Sequence, residues 1–206
     1  MKENLKIASF CSIKNNAVFC DGKKVVAKDL LLDIDIFLKE IYKENIGGYP
    51  KFFKMDTASK LAFITAEYLI NSAKITSEEK ENCALILSNN SASLDTDRKH
   101  QETINDADNY FPSPAVFVYT LPNIGIGEIS IRHKIYGENA FFVFEKFNAK
   151  TLLEYSTCLF DANKTDKSIC GWVNVDEGNY EAFMYIVSKE GNYNHTIKNI
   201  NELYKK

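Results

Sequence analysis

Alternating, continuous and helically spaced apolar residues succeed one another along the chain, and the changes of period divide it into elements. Lys6 to Ser12 reads as a short strand. Ala17 to Val26 continues it as a hairpin around Asp21-Gly22, a dipeptide that favours a tight turn. From Asp29 to Lys43, residues Leu30, Leu31, Ile34, Phe37, Leu38 and Ile41 recur at the spacing of one helix face. Gly47-Gly48 ends that helix and Tyr49-Pro50 leads away from it.

The clearest helix follows in DTASKLAFITAEYLINSAK, with Asp56 as its N-cap. Leu61, Ile64, Tyr68 and Leu69 make an apolar side, and Ala58, Ala62, Ala66 and Ala73 let the helix approach a sheet closely. CALILS, residues 83–88, is a continuous apolar run with Asn89-Asn90 after it, as in a central parallel strand covered on both faces. SICGWVNV and EAFMYIVS flank a Gly-containing turn and read as a late antiparallel hairpin. Together these elements predict an α/β fold: a mixed five-stranded sheet flanked by helices and ending in that hairpin.

With 206 residues, 45% of them hydrophobic, and only nine glycines and four prolines, the chain fits one globular domain over 1–206, without a linker or repeat. The formal charge is −3, from 25 basic and 28 acidic residues, and neither sign is blocked into a patch. Nucleic acid, which needs clustered Lys and Arg, is therefore not an expected partner. MKENLKIASFC is too short an apolar run for a secretory signal, and no stretch of about 18 apolar residues suggests a membrane span, so a cytoplasmic location is expected. Cys11, Cys20, Cys83, Cys158 and Cys170 are odd in number and form no CxxC, so neither a disulfide framework nor a zinc knuckle is expected.

Familiar catalytic patterns are missing. GIGEIS, residues 125–130, has two glycines of a dinucleotide fingerprint but lacks the third, the preceding strand and the acidic partner, so no cofactor is predicted and a turn or helix junction is the expected use. His100, His133 and His195 are far apart and belong to no HxH or HExxH, so no metal site is predicted. Arg132 and Lys134 flank His133 and would weaken it as a base. There is no GxSxG elbow. Cys158 falls inside a helix beginning near Asn148 and Cys170 inside a strand, away from the helix N-terminus that activates a thiol.

MDTASKLAFITAEYLI, CALILSNNSASLDTD and FPSPAVFVYTLPNIGIGEISIRHKIYGEN, read together, resemble the N-terminal half of a β-ketoacyl-acyl carrier protein synthase, a thiolase-like enzyme. The resemblance runs roughly over residues 5–190. It implies a condensing cysteine nine residues beyond the glycine of a Gly-Pro-Asn motif, and nine residues beyond Gly137 stands Lys146. Counting back from Gly171-Trp172-Val173, which resembles the family's Gly-Gly-Val, again reaches Lys146. The resemblance thus implies a short form without the catalytic cysteine. A lysine at a helix N-terminus also has the wrong charge for that place, and is expected to face solvent or pair with Glu145. The family's two catalytic histidines belong to the second half of its duplicated fold, before which this sequence is expected to stop.

Without a thioester-forming cysteine, ketosynthase activity is not expected. The resemblance instead implies a noncatalytic subunit like a chain-length factor, pairing with a ketosynthase or with itself in fatty acid, polyketide or aryl-polyene synthesis. Phe141, Phe142, Val143 and Phe144 are the candidate interface, because an uncovered apolar strand edge invites pairing; filling this chain's own core is their other use. Two further roles stay open. One is an acyltransferase or hydrolase using Ser88, Ser91 or Ser113 with Asp95 or Asp97. The other is docking of an acidic acyl carrier protein on a basic patch of Arg132, Lys134, Lys146 and Lys150, should they share a face.

Overall fold

A computed structural model describes residues 4–206; residues 1–3 of the N-terminal stretch considered for a signal lie outside the described residues. Its strands are β1 (Lys6–Lys14), β2 (Ala17–Cys20), β3 (Lys23–Ala27), β4 (Cys83–Asn89), β5 (Asn139–Val143), β6 (Lys167–Asp176), β7 (Asn179–Ser188) and β8 (Tyr193–Asn194). Its α-helices are α1 (Ile34–Ile41), α2 (Thr57–Ala73), α3 (Ser77–Glu81), α4 (Leu94–Glu102), α5 (Pro114–Phe117), α6 (Ile124–His133), α7 (Ala149–Asp161) and α8 (Ile197–Tyr204). The strands form one mixed sheet in the order β3-β2-β1-β7-β6-β4-β5, with β8 also paired to β1. β4 is parallel to both β5 and β6, and the other pairings are antiparallel.

The sheet therefore has eight strands where five were expected. Asn15-Asn16, both at positive φ, fold β2 back on β1 in register Cys11↔Cys20, and the Asp21-Gly22 turn then folds β3 back on β2, which widens the sheet. Nor does the chain stop at the β6–β7 hairpin. Asn192 N–H and His195 N–H donate to the carbonyls of Ile7 and Leu5, which lays β8 beside β1. Thr196 then caps α8, and Ile200 and Leu203 bury its inner face.

Both faces of the sheet are covered. On one, Ile13, Val18, Leu85, Leu87 and Ile169 pack against α1, α2 and α6; on the other, Phe10, Ile86, Phe183 and Val187 pack against α7 and α8. β4 is buried along its whole length, which is why its sequence is continuously apolar instead of alternating. β6 and β7 meet at Glu177-Gly178, both at positive φ (49° and 80°), the two-residue turn that matches the twist of an antiparallel hairpin.

The first helix begins later than its apolar spacing predicts. Asp33 accepts from the N–H groups of Asp35 and Ile36 and so starts α1 at Ile34. Asn16 donates to the carbonyls of Asp29 and Leu32, holding the preceding residues as a turn and leaving Leu31 93% exposed. Asp56 caps α2 as expected, accepting from Ser59 N–H.

Candidate functional site

β5 delivers the chain to the turn where the resemblance places a nucleophile. Gly137 opens this strand at closest approach to β4: a Cβ there would lie 2.4 Å from the carbonyl oxygen of Cys83. β5 ends where Phe144 N–H donates to the carbonyl of Asn89 at 2.8 Å. Asn148 then caps α7, accepting from Thr151 N–H at 3.1 Å. Glu145 and Lys146 lie exposed in the turn between. Lys146 faces solvent, and among the described residues no ion pair joins it to Glu145 or to another carboxylate.

Behind this turn the space is filled. Phe147 stacks on Tyr204 of α8 at 4.2 Å and meets Phe183 and Trp172 edge-on at 5.8 and 6.2 Å. Tyr204 and Trp172 both donate to Glu181 Oε1, at 2.7 and 2.8 Å. Burial, reinforced by that carboxylate, pushes the Tyr204 phenol well above its ordinary range. The turn thus carries no described thiol and backs onto interlocked aromatic rings.

The remaining chemical candidates are scattered. Cys158 is exposed on α7. Cys170 is buried in β6, with its thiol pushed up to about 11 by desolvation. Desolvation, followed by the charges of Lys80 and Arg132, lowers His133 to about 4, so burial outweighs the neighbouring charge read from the sequence. Burial alone takes His195 to about 4. His100 packs against Phe117, 5.3 Å between ring centres. Among the described residues no cluster of three His, Cys, Asp or Glu could hold a metal ion.

The serines are equally separate. Ser88 donates to Gly171 O at 2.9 Å, Ser91 to Asn90 Oδ1 at 2.7 Å, and Ser113 caps α5. Asp95 pairs with Arg98, and Asp97 accepts from Ser93. None of these serines bonds a histidine among the described residues.

The apolar run of β5 divides between two environments. Phe141 packs into the layer of α2; Phe142 turns to that of α7, meeting Tyr155 edge-on at 5.4 Å and stacking on Phe144 at 5.6 Å. Val143 remains 53% exposed. β5 is the last strand of the sheet. Because Glu138 O and Phe144 N–H bond to β4, the alternation of a parallel ladder points the N–H groups of Asn139, Phe141 and Val143 outward. The run thus sets two of its rings against the core and leaves its backbone edge open.

The four basic residues do not share a face. Arg132 and Lys134 belong to the end of α6, whose apolar residues pack on the α2 side of the sheet; Lys146 lies in the turn before α7 and Lys150 at the start of that helix, which packs on the other side. Arg132 is moreover committed to Glu67 at 2.7 Å and to the carbonyls of Gly47 and Gly48. Lys150 lies 3.8 Å from Glu154.

Two polar groupings escape a reading of the sequence. Glu128, 1% exposed on α6, is bonded by Lys51 at 2.8 Å, Tyr119 at 3.1 Å and Tyr49 at 3.2 Å. Lys60, buried on α2, pairs with Asp35 at the rim of a cleft of about 500 Å³, lined also by Asp56, Lys99 and Val116. Burial raises the Asp35 carboxyl, but bonds from Lys39 and Lys60 outweigh it and hold the group below its usual range. The one sequence signal for either grouping is a charge set on a helix's apolar stripe, Glu128 beside Ile129 and Lys60 beside Leu61.

No family model and no curated protein matches the sequence. Solved structures do match in shape. A chain of the ishigamide ketosynthase/chain length factor aligns with a TM-score of 0.68 at 14% identity, covering 90% of this chain and 62% of that one. A chain of the ketosynthase ApeO in complex with its chain length factor ApeC, from Xenorhabdus doucetiae, aligns with a TM-score of 0.57 at 10% identity, covering 98% and 90%. A chain of AntDE:AntF, a type II polyketide acyl-carrier protein in complex with its ketosynthase, aligns with a TM-score of 0.63 at 9% identity, covering 91% and 63%. The chain thus spans about three fifths of the length of the first and third of these. No helix among the described residues is long and apolar enough to cross a membrane. The sheet and its two helical layers thus form the fold found in chains of ketosynthase and chain length factor complexes.

Proposed function

We propose that this chain is a noncatalytic, cytoplasmic ketosynthase-like subunit that pairs along β5 with a ketosynthase, or with a second copy of itself, in fatty acid, polyketide or aryl-polyene synthesis. The observation that carries the proposal is the pairing of an open β5 edge with a nucleophile turn that holds Lys146 and is backed by Phe147, Tyr204 and Trp172. A condensing subunit needs a thiol that forms a thioester at this turn, and a lysine beside a helix N-terminus cannot take its part. The similar structures are of ketosynthases with a chain length factor or an acyl-carrier protein, which supports a partner of that class. Lys146 in the turn and Lys150 at the start of α7, both exposed, are the residues of the basic set that remain for an acidic carrier protein.

The test is co-expression with the ketosynthase encoded nearest to it, followed by co-purification and light scattering. The proposal expects a stable heteromer or a self-dimer, weakened by Val143→Lys and indifferent to Cys158→Ser. A particle that stays monomeric at micromolar concentration and ignores the ketosynthase overturns it.

A further inference from the structure

Cys11 on β1 and Cys20 on β2 are direct partners across an antiparallel pair. Asp21 N–H donates to the carbonyl of Phe10 at 2.9 Å, so the two cysteines occupy the position between ladder hydrogen bonds. In that register the Cα atoms come closest, about 4.5 Å apart, at the short end of the span a disulfide bridges. The side chains agree, with the two sulfurs 3.7 Å apart and the Cys20 thiol directed at Cys11. Cys11 is fully buried and Cys20 is 8% exposed, so the pair is shielded from large reagents while Cys20 lies nearer the surface.

The other cysteines lack such a neighbour. Cys83 and Cys170 lie in adjacent strands but belong to the cores on opposite faces of the sheet. Cys158 stands exposed on α7. The environments of the close pair also differ: burial, then the neighbouring sulfur, raises Cys11 well above an ordinary thiol, while the hydrogen bond shared with Cys11 outweighs partial burial and lowers Cys20. Cys20, nearer the surface, is the thiol placed to meet a reagent first, and the fully buried Cys11 is the one held behind it. Asp21, whose carboxylate is held by Ser9, the Phe10 N–H and Ser72, is the acidic neighbour that partly opposes ionisation of Cys20.

We infer that Cys11 and Cys20 are an oxidative modification site, closing to a cross-strand disulfide when the folded protein meets a hydroperoxide. The Cys20 thiolate attacks the peroxide, the O–O bond breaks, and the sulfur becomes a sulfenic acid while the departing alkoxide or hydroxide takes up a proton. The Cys11 thiol then attacks that sulfur, the S–O bond breaks, and hydroxide leaves with the Cys11 proton as water. Two thiols and one hydroperoxide become one disulfide, one alcohol (water, for hydrogen peroxide) and one water, with the peroxide as the electron acceptor. The bond needs the sulfurs to close from 3.7 Å to about 2.05 Å, a movement within reach of two side chains already in contact. The site lies toward the β3 edge of the sheet, away from β5, so it is independent of the proposed subunit interface.

The test uses the full-length Cys158→Ser protein, treated with hydrogen peroxide, then alkylated under denaturing conditions and mapped without reduction. The expected result is an intact mass lower by two hydrogens, one cross-linked peptide pair carrying Cys11 and Cys20, and Cys83 and Cys170 still alkylated. Reduction restores both thiols, and Cys20→Ser abolishes the cross-link. Since the peptide map is read on a protein with both cysteines in place, the result does not depend on how the Cys20 variant folds. Recovery of Cys11 and Cys20 as alkylated thiols, or arrest of Cys20 as a sulfinic acid with Cys11 free, overturns the inference.

Discussion

The two edges of the one sheet solve the same problem differently. β3, at one end, carries Lys23 and Lys24 on a short hairpin strand, and charge on an edge discourages another strand from adding to it. β5, at the other end, reads Asn-Ala-Phe-Phe-Val, lies parallel to its neighbour and leaves Val143 half exposed. Parallel strands belong to the covered interior of sheets, so a parallel edge with an apolar run and outward N–H groups is the end of this sheet that calls for a partner. The proposed β5 interface rests on this difference between the two edges.

The strongest way to break the comparison is to move β5 itself. Gly137→Ala would place a methyl 2.4 Å from the Cys83 carbonyl, so β5 must shift away from β4. The expected cost is about 3 kcal/mol of stability, read as a lower urea midpoint, together with loss of association. Val143→Lys leaves the fold intact, because the side chain is already half exposed, but puts an unpaired charge into the paired state. Association should weaken roughly 100-fold, about 2.7 kcal/mol, in light scattering over a dilution series.

Acid provides a third probe, through the α6 end that leads into β5. His133 is held at about 4, below the 6.5 of a free histidine. Glu67, 3.5 Å from its Nε2, is already bound to Arg132 at 2.7 Å. The fold binds fewer protons than the unfolded chain between those values, so the contribution is complete above about 6.5 and is lost as the pH falls toward 4. One pH unit below 6.5 should remove about 1.4 kcal/mol, an effect that His133→Asn flattens in denaturation curves taken at several pH values. The smallest effect tests the guarded edge. Lys23→Val with Lys24→Val should raise self-association on the order of fivefold, about 1 kcal/mol, in sedimentation.

Much of the fold was legible because burial writes simple patterns. β4 is continuously apolar since both its faces are covered, α2 carries its cap in Asp56, and the β6–β7 hairpin is marked by Glu177-Gly178. α1 is shorter than its apolar spacing predicts because Leu30 and Leu31 fit that spacing while Asp33 decides where the helix starts. α8 leaves little trace in the sequence, since two buried residues, Ile200 and Leu203, within a polar octet make a weak signal. At the turn before α7, the glycine at 137 is itself explained by its close approach to β4, which admits no side chain there. The division of Arg132 and Lys134 from Lys146 and Lys150, the Glu128 network and the contact of Cys11 with Cys20 all depend on which face or register each residue takes. Spacing along the chain does not carry that information.

Amide hydrogen exchange over residues 139–144, with and without the co-purified ketosynthase, tests the central claim most directly. The account predicts that the outward N–H groups of Asn139, Phe141 and Val143 exchange readily in the isolated monomer and become protected in the complex or self-dimer, while β3 is unchanged. Association that protects β3 or the α7–α8 layer and leaves β5 exchanging freely would contradict it.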